Sequence, residues 1–259
     1  MTNRMSVIGV TASLLAAASL LGACAQTGQI PTLVWTAQPH MDFSLGPRLA
    51  GPGVDRINSR LAALDERVQV QHQECMSAAG EVGSWIRTVW TPYLGPRFLT
   101  VAVSDQRNCG GPYPVGEINY YTFDRATDDL LDWSALWPGV SIRATRPEAG
   151  TTAARTGAPA LRRWYVDAVM RDPQIDPELR GLCAGRLAPE DDGEDIAIWL
   201  EGASGGLGMK LTDLPHAARV CGFVQIMPAA EMARLGASDA LLRAVRAAPA
   251  AFDYSEMPR

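Results

Sequence analysis

The chain of 259 residues has little lysine, little histidine and no excess of positive charge. Lys210 is its one lysine, and 23 basic residues stand against 28 acidic ones, which gives a net charge of −5. Nucleic-acid binding relies on clustered positive charge, so this balance argues against a DNA- or RNA-binding protein. The three histidines, His40, His72 and His216, are scattered, and no C-x-x-C pair is present. Zinc ligands must lie close together, so the sequence predicts no metal site and no cofactor.

The N-terminus holds the one long uncharged apolar run. Arg4 precedes the apolar residues 7–21, and Leu21-Gly22-Ala23-Cys24 resembles a bacterial lipobox. This predicts a lipoprotein signal peptide over residues 1–23 and lipid attachment at Cys24. Two alternatives stay open: ordinary secretory cleavage at an A-x-A site over residues 23–25, and an uncleaved membrane span over residues 5–25. We expect an exported chain, lipid-anchored in the cell envelope, on the periplasmic face of the outer membrane if the cell has two membranes.

The cysteines indicate disulfides. If Cys24 carries lipid, Cys75, Cys109, Cys183 and Cys221 remain, and an even set in an exported chain predicts two bridges. Three pairings are possible. Pairing of near neighbours, Cys75 with Cys109 and Cys183 with Cys221, closes the shortest loops, and each bridge would contribute ~3–4 kcal/mol by constraining the unfolded chain. The alternative is four free, buried thiols.

Apolar periodicity divides the rest of the chain into helices and strands. The clearest helix spans residues 54–74, with apolar side chains at every third or fourth position. Further helices are predicted over 160–171, 177–187, 228–235 and 238–247, and a short helix or turn over 130–137. Strands are predicted over 84–91, 98–104, 117–124, 195–201, 208–212 and 219–227, after a first extended segment over 32–36.

This order predicts an α+β fold in which amphipathic helices pack on antiparallel sheet, stapled by two disulfides. We assign residues 1–23 to the signal peptide and residues 24–53 to a tether that runs into the first extended segment. We expect residues 54–259 to form a single α+β domain. The segment 138–159 is rich in Pro, Gly, Thr and Arg without periodicity, so we expect a loop there, a candidate junction between two halves.

Ser204 lies in G-A-S-G-G, which matches the G-x-S-x-G pattern of a hydrolase nucleophile elbow. That elbow needs a strand, a sharp turn and a helix, with Asp and His later in the chain. Here the following residues indicate another strand, and His216 is the one later histidine. The glycines suit a hairpin turn instead. The sequence therefore predicts a turn at Ser204 and assigns no catalytic residue.

Acidic residues offer no assignable chemistry. The loop PEDDGED over 189–195 lacks the alternating ligands of an EF-hand, so we interpret it as a solvated turn. A glycosidase would need a defined carboxylate pair. Glu74, Glu81, Glu117 and Asp124 are candidates only because they are present.

Aromatic side chains concentrate within 53 residues and suggest either a core or a stacking surface. They are Trp85, Trp90, Tyr93, Tyr113, Tyr120, Tyr121, Trp133 and Trp137. Alternation along the strands sends most of them to the core. We keep Tyr113 and Tyr121 as the candidate exposed binding surface.

Two stretches, CGGPYPVGEINYYTFDRATDDLLDWSALWP and GLGMKLTDLPHAARVCGFVQIMPAAEMARL, resemble the RsiV-like domain of unknown function. Phe123-Asp124, the turn at Thr127-Asp128 and Leu136-Trp137 match its pattern of a strand ending in Phe-Asp, a Thr-Gly turn and a Leu-Phe element. Pro112-Tyr113 stands where Ala-His is common, and Asp128 where Gly is common. No site residue of the family therefore transfers.

The resemblance implies an exported, membrane-tethered binding domain, because some members of that family bind lysozyme and others accompany a polysaccharide deacetylase. We expect a non-catalytic domain that binds a lysozyme-like protein or a cell-wall glycan. The alternatives are an envelope enzyme that acts on peptidoglycan and a structural factor for envelope assembly. The expected partners are the membrane, through the lipid, and an envelope protein or peptidoglycan, with no nucleic acid.

Overall fold

The computed structural model describes residues 30–35, 43–138, 142–145, 153–156, 158–185, 187, 196–212, 214 and 216–247. Within these ranges the helices are α1 (Asp55–Ala79), α2 (Trp133–Leu136), α3 (Pro159–Arg171), α4 (Pro177–Cys183), α5 (Ala229–Arg234) and α6 (Asp239–Arg246). The strands are β1 (Thr32–Val34), β2 (Arg48–Ala50), β3 (Ser84–Leu94), β4 (Phe98–Asn108), β5 (Val115–Asp124), β6 (Asp129–Leu130), β7 (Ile142–Thr145), β8 (Ala153–Thr156), β9 (Ile196–Glu201), β10 (Gly206–Leu211) and β11 (Val224–Pro228). Short 3₁₀ helices cover Gly80–Val82 and His216–Cys221.

The strands form three antiparallel sheets, and the predicted α+β class is confirmed. One sheet has the order β3-β4-β5-β6, the second has the order β11-β10-β9-β8-β7, and β1 pairs with β2. The first is the predicted meander, extended by the short strand β6. Strand β3 extends three residues beyond its predicted end at 91, and β4 extends four residues beyond its predicted end at 104.

Helix α1 covers one face of the four-stranded sheet. Its apolar stripe buries Ile57 and Leu61 against sheet residues that include Val101 and Phe123. At ~1.5–3 kcal/mol for each fully buried large apolar side chain, this stripe stabilises the packing of the helix on the sheet. The helix begins without a cap from its own sequence.

The missing cap of α1 comes from the turn between β5 and β6. There the carboxylate of Asp128 accepts the backbone N–H groups of Arg56, at 2.8 Å, and Ile57, at 3.1 Å. Asp128 has φ = 51°, the left-handed region in which Gly is favoured. A glycine would adopt this backbone conformation more easily, but it would lack the carboxylate that satisfies two N–H groups at the helix start.

The five-stranded sheet carries the remaining helices on its outer face. Leu161 and Tyr165 of α3 are fully buried there, together with Leu241 of α6 and the sheet residues Leu207 and Met209. The Tyr165 hydroxyl donates to the backbone oxygen of Phe223 at 2.6 Å. The inner face of this sheet meets the four-stranded sheet, so the layers run α1, four-stranded sheet, five-stranded sheet, helices.

Other predicted element boundaries were also wrong, and helix α1 ends at Ala79 rather than at residue 74. The expected loop over 138–159 contains β7 and β8, because β8 adds to the edge of β9 through Arg155↔Ala197 and Thr156↔Ile196. The last strand starts at Val224 rather than at 219, since its partner β10 ends at Leu211. Helix α4 stops at Cys183 rather than at 187.

Both disulfides have the near-neighbour pairing. Cys75 of α1 bonds Cys109, which follows β4, with Cα atoms 4.8 Å apart. Cys183 of α4 bonds Cys221 of the second 3₁₀ helix, with Cα atoms 5.4 Å apart. The first bridge joins a helix to the four-stranded sheet, and the second joins α4 to the segment before β11. Each half of the chain therefore carries its own covalent link.

Candidate functional site

The two large sheets touch closely at one end of their interface. Tyr120 of β5 and Trp199 of β9 stack with ring centroids 3.8 Å apart and an interplanar angle of 5°. The small side chains of Ala102 and Ala197 lie beside them, fully or almost fully buried. Trp90 meets Tyr120 edge-on at 6.4 Å. Stacked and edge-on aromatic pairs add ~0.5–1.5 kcal/mol beyond their buried area, so this end is firmly closed.

The indole of Trp199 lies directly on the backbone of the neighbouring strand. Its cross-strand partner is Gly208, and a Cβ added at that glycine would stand 2.0 Å from Trp199 Cε2. The indole N–H donates to Glu201 Oε2 at 3.2 Å. Glycine at position 208 is therefore required by the close approach of the ring, not by a turn.

At its other end the interface opens into a cavity of about 710 Å³, which we call the intersheet cleft. One wall comes from β4, β5 and the residues before β5, and the other from the end of β10, Thr212, Leu214 and the second 3₁₀ helix. The lining residues are Ser104, Gln106, Arg107, Pro114, Val115, Gly116, Glu117, Ile118, Lys210, Leu211, Thr212, Leu214 and Arg219.

Strand alternation explains why Lys210 faces this cleft. Along β10, Leu207, Met209 and Leu211 are buried in the core beneath the helices. Gly208 and Lys210 alternate with them and therefore face the four-stranded sheet. The chain's one lysine is thus placed in the space between the sheets, one inward position beyond the glycine under Trp199.

The cleft concentrates positive charge in a chain of net charge −5. The amine of Lys210 makes no hydrogen bond or ion pair with any residue in the described ranges, and burial lowers its pKa. Arg219 donates one N–H to the Pro114 backbone oxygen at 3.2 Å. Arg107 lies 3.8 Å from Glu117, which is the one carboxylate among the described lining residues. Lys210 and Arg219 therefore remain as charges that no carboxylate in that lining neutralises.

The two tyrosines of the candidate binding surface lie in different environments. Tyr113, in the connection between β4 and β5, is 66% exposed and directly precedes the cleft residues Pro114 and Val115. Tyr121 is only 9% exposed, and its expected exposure was wrong. Its side chain packs in the α1 cluster, while Tyr120 points to the other sheet. Both faces of β5 are covered, so alternation exposes neither ring; burial raises the pKa of Tyr121 to about 12.

Ser204 lies in the turn over 202–205 between β9 and β10, as predicted. A strand, not a helix, follows it. Gly205 has φ = 64°, which is the conformation that this turn requires of a glycine. Gly202 N–H also donates to the Pro92 backbone oxygen at 2.9 Å, which ties the turn to the other sheet.

The candidate carboxylates do not come together as a pair. Glu74 and Glu81 are exposed near the end of α1, and Glu117 and Asp124 lie toward opposite ends of β5. Asp124 is buried and accepts hydrogen bonds from Arg97 Nη2, at 2.7 Å, and from Arg97 Nε, at 3.0 and 3.2 Å. It also accepts the N–H of Ala126, so it organises the turn after β5.

The remaining candidate residues either lie in packed or helical segments of the fold or fall outside the described ranges. His72 packs 4.5 Å from Phe43 and 5.8 Å from Trp85, between ring centroids. His216 begins a 3₁₀ helix. Cys24, His40 and the acidic loop over 189–195 are outside the described residues. Within those residues, no group of three or more His, Cys, Asp or Glu side chains could hold a metal ion.

Sequence reasoning missed Lys210 and Arg219. A usable signal was present, because GLGMKL alternates apolar residues with Gly and Lys, and no other lysine occurs in the chain.

In the described part of the chain, every helix is too short or too polar to span a bilayer.

Comparison with known proteins shows distant structural likeness to solved structures. No family model matches the chain, and no curated protein matches its sequence. A crystal structure of a DUF3298 family protein from Pseudomonas aeruginosa PAO1 is similar, with a TM-score of 0.47 and 12% sequence identity. The match covers 83% of this chain and 98% of that one. DUF3298 denotes a domain of unknown function.

Proposed function

We propose that the chain is an exported lipoprotein whose folded part is a non-catalytic binding domain, with the intersheet cleft as its binding site. The cleft itself is the observation that carries this proposal. It is a concave space of about 710 Å³ with hydrogen-bonding, apolar and positively charged walls. Ligand sites have these properties and fall between about 300 and 1,000 Å³. Glu117 is the one carboxylate in its described lining, and it lies beside Arg107. The described lining therefore contains no pair of carboxylates that could act as acid and base.

The proposed location rests on the lipobox around Cys24. Lipid on this cysteine would hold the domain at a membrane surface. We expect Cys24→Ser to move the protein from the membrane fraction to the soluble fraction of the envelope. Immunoblotting of fractionated cells measures this, and unchanged membrane retention would contradict the lipid anchor.

The proposed partner is a lysozyme-like protein or a cell-wall glycan, as the resemblance to the RsiV-like domain implies. Tyr113 supports a binding role because its ring is exposed and it directly precedes the cleft residue Pro114 in the chain. An exposed aromatic ring can add contact area for a protein or a sugar.

The test is capture by the full chain, purified in a mild detergent and immobilised. Lysozyme and isolated peptidoglycan sacculi are the probes. We expect saturable capture of one of them, weakened by Tyr113→Ser and by Lys210→Glu. The matched control is Arg163→Glu, a charge reversal on the exposed face of α3 away from the cleft. Release of soluble fragments from the sacculi would instead favour an enzyme, and capture that survives both cleft changes would place the binding surface elsewhere.

A further inference from the structure

The chemistry of the cleft points to a class of ligand. Lys210 and Arg219 bring two positive charges into one cavity, although the chain as a whole is acidic. Arg219 is held by its bond to the Pro114 backbone oxygen, so its remaining N–H groups are oriented in advance. A guanidinium and an ammonium that line the same cavity suit an oxyanion, which can accept charge-assisted hydrogen bonds from both.

The geometry keeps this charge between the sheets rather than on an open surface. The stem of Lys210 passes Gly222, where an added Cβ would lie 3.1 Å from Cε of the lysine. The side chain is half-buried, and its pKa is lowered by loss of hydration alone. An ammonium in such a position gains from any anion that replaces the lost water.

The rest of the lining is mixed. Ser104, Gln106 and Thr212 bring side-chain hydroxyl and amide groups, while Ile118 and Leu214 bring apolar surface. A bare inorganic ion would leave that apolar surface uncovered. A ligand that carries one oxyanion on a short apolar body would use both parts of the cavity.

We propose that the intersheet cleft binds a small organic anion, with Lys210 and Arg219 pairing its oxyanion and with Ile118 and Leu214 contacting its apolar part. The oxyanion is a carboxylate or a phosphate ester, either of which fits the two cations. This inference rests on the proposed function in one respect, namely that the cleft is a binding site. The ion pair of Arg107 with Glu117 lies at the other wall, so among the described lining residues Lys210 and Arg219 are cations without a carboxylate partner.

The single lysine makes the test direct. We would treat the full chain, in detergent at constant ionic strength, with an amine-reactive acetyl ester and follow acetylation of Lys210 by peptide mass spectrometry. The probes are hexanoate, acetate and inorganic phosphate, with chloride as the reference anion. A bound anion shields the amine, so we expect the rate to fall about tenfold at about ten times Kd.

The variants separate a site from general screening. We expect Arg219→Gln to weaken the protection, and Arg163→Gln, on the exposed face of α3, to leave it unchanged. Protection by hexanoate at lower concentration than acetate supports a carboxylate with an apolar body, and protection by phosphate alone assigns the oxyanion to a phosphate. Equal rates in all anions, or protection that Arg219→Gln leaves intact, would overturn the proposal.

Failure of this inference and failure of the proposed function give different results. Capture of lysozyme or sacculi without anion protection would discard the anion site and keep the binding domain. Anion protection without capture of either probe would keep the cleft as a ligand site and discard those partners.

Discussion

The two ends of the space between the sheets are built from the same strands in opposite ways. At the closed end Trp199 lies flat on Tyr120 and presses on the backbone of Gly208. At the open end, one inward position further along β10, Lys210 projects into a cavity of about 710 Å³. Backbone pairing is continuous across both positions, since Gly208 pairs with Trp199 and Lys210 with Ala197.

The difference shows that side-chain size and charge on one strand decide whether the sheets meet. Gly208 leaves room for an indole, which fills the gap and binds the layers together. Lys210 cannot be enclosed in the same way, because an ammonium loses its hydration when apolar walls close over it. The cleft is therefore specified by the sequence of β10 as much as by the residues that line its opposite wall.

The largest expected effect is at the closed end. Trp199→Ala would remove a ring that is 2% exposed and stacked on Tyr120. We expect the free energy of unfolding to fall by about 3–5 kcal/mol, the usual cost of removing a large buried aromatic side chain. Denaturant unfolding followed by far-UV circular dichroism measures this. A loss below about 1 kcal/mol would show that the stack does not hold the sheets together.

A second change tests the glycine beneath the ring. Gly208→Ala places a Cβ 2.0 Å from Trp199 Cε2, and we expect a loss of about 1–3 kcal/mol from overpacking. Gly111→Ala is the control, since an added Cβ there meets nothing within 4 Å. In the Trp199→Ala background the cost of Gly208→Ala should largely vanish, because the clash has gone. Additive costs in the double variant would contradict the close approach.

At the open end the expected effect on stability is small. Lys210→Met replaces a half-buried ammonium with an uncharged side chain of similar length. We expect the free energy of unfolding to stay the same or to rise by up to about 1 kcal/mol, since no carboxylate partner in the described residues is lost. A clear loss of stability in urea unfolding would show that the amine has a structural partner.

The smallest expected effect is a pH dependence of the difference in unfolding free energy between the wild-type chain and Lys210→Met. Burial lowers the pKa of Lys210 in the folded state, so the unfolded chain binds more protons between the lowered and the ordinary pKa. The stability of the wild-type chain should therefore rise toward that of Lys210→Met as pH increases through this window. Tyr93 and Tyr121, whose pKa values burial raises to about 12, ionise alike in both proteins and cancel. A constant difference between pH 7 and 10, measured by urea unfolding, would contradict the assigned cause.

The sequence was sufficient where local patterns act alone. The turn at Ser204 follows from its glycines, and the disulfides have the one of three possible pairings that closes the shortest loops. It was insufficient where another part of the chain decides. Strand β8 exists because β9 offers an edge, and Tyr121 is buried because α1 covers its face of the sheet.

The cleft was beyond prediction for the same reason. Lys210 and Arg219 lie nine positions apart on different elements, and Ser104 and Ile118 come from the other sheet. Alternation predicts that Lys210 points away from the helical layer, but not what stands opposite. Only the packing of one sheet on the other turns a lone lysine into part of a cavity.

The cap that Asp128 gives to α1 has a consequence for the order of folding. Asp128 follows the helix start by about seventy residues, and the N–H groups of Arg56 and Ile57 gain its carboxylate only after β3, β4 and β5 have folded back on one another. Closing so long a loop costs conformational entropy before any contact repays it. We therefore expect the first turn of α1 to order late, in the same cooperative step as the β3-β4-β5 meander. This is expected even though the apolar periodicity of α1 makes it the clearest helix in the sequence.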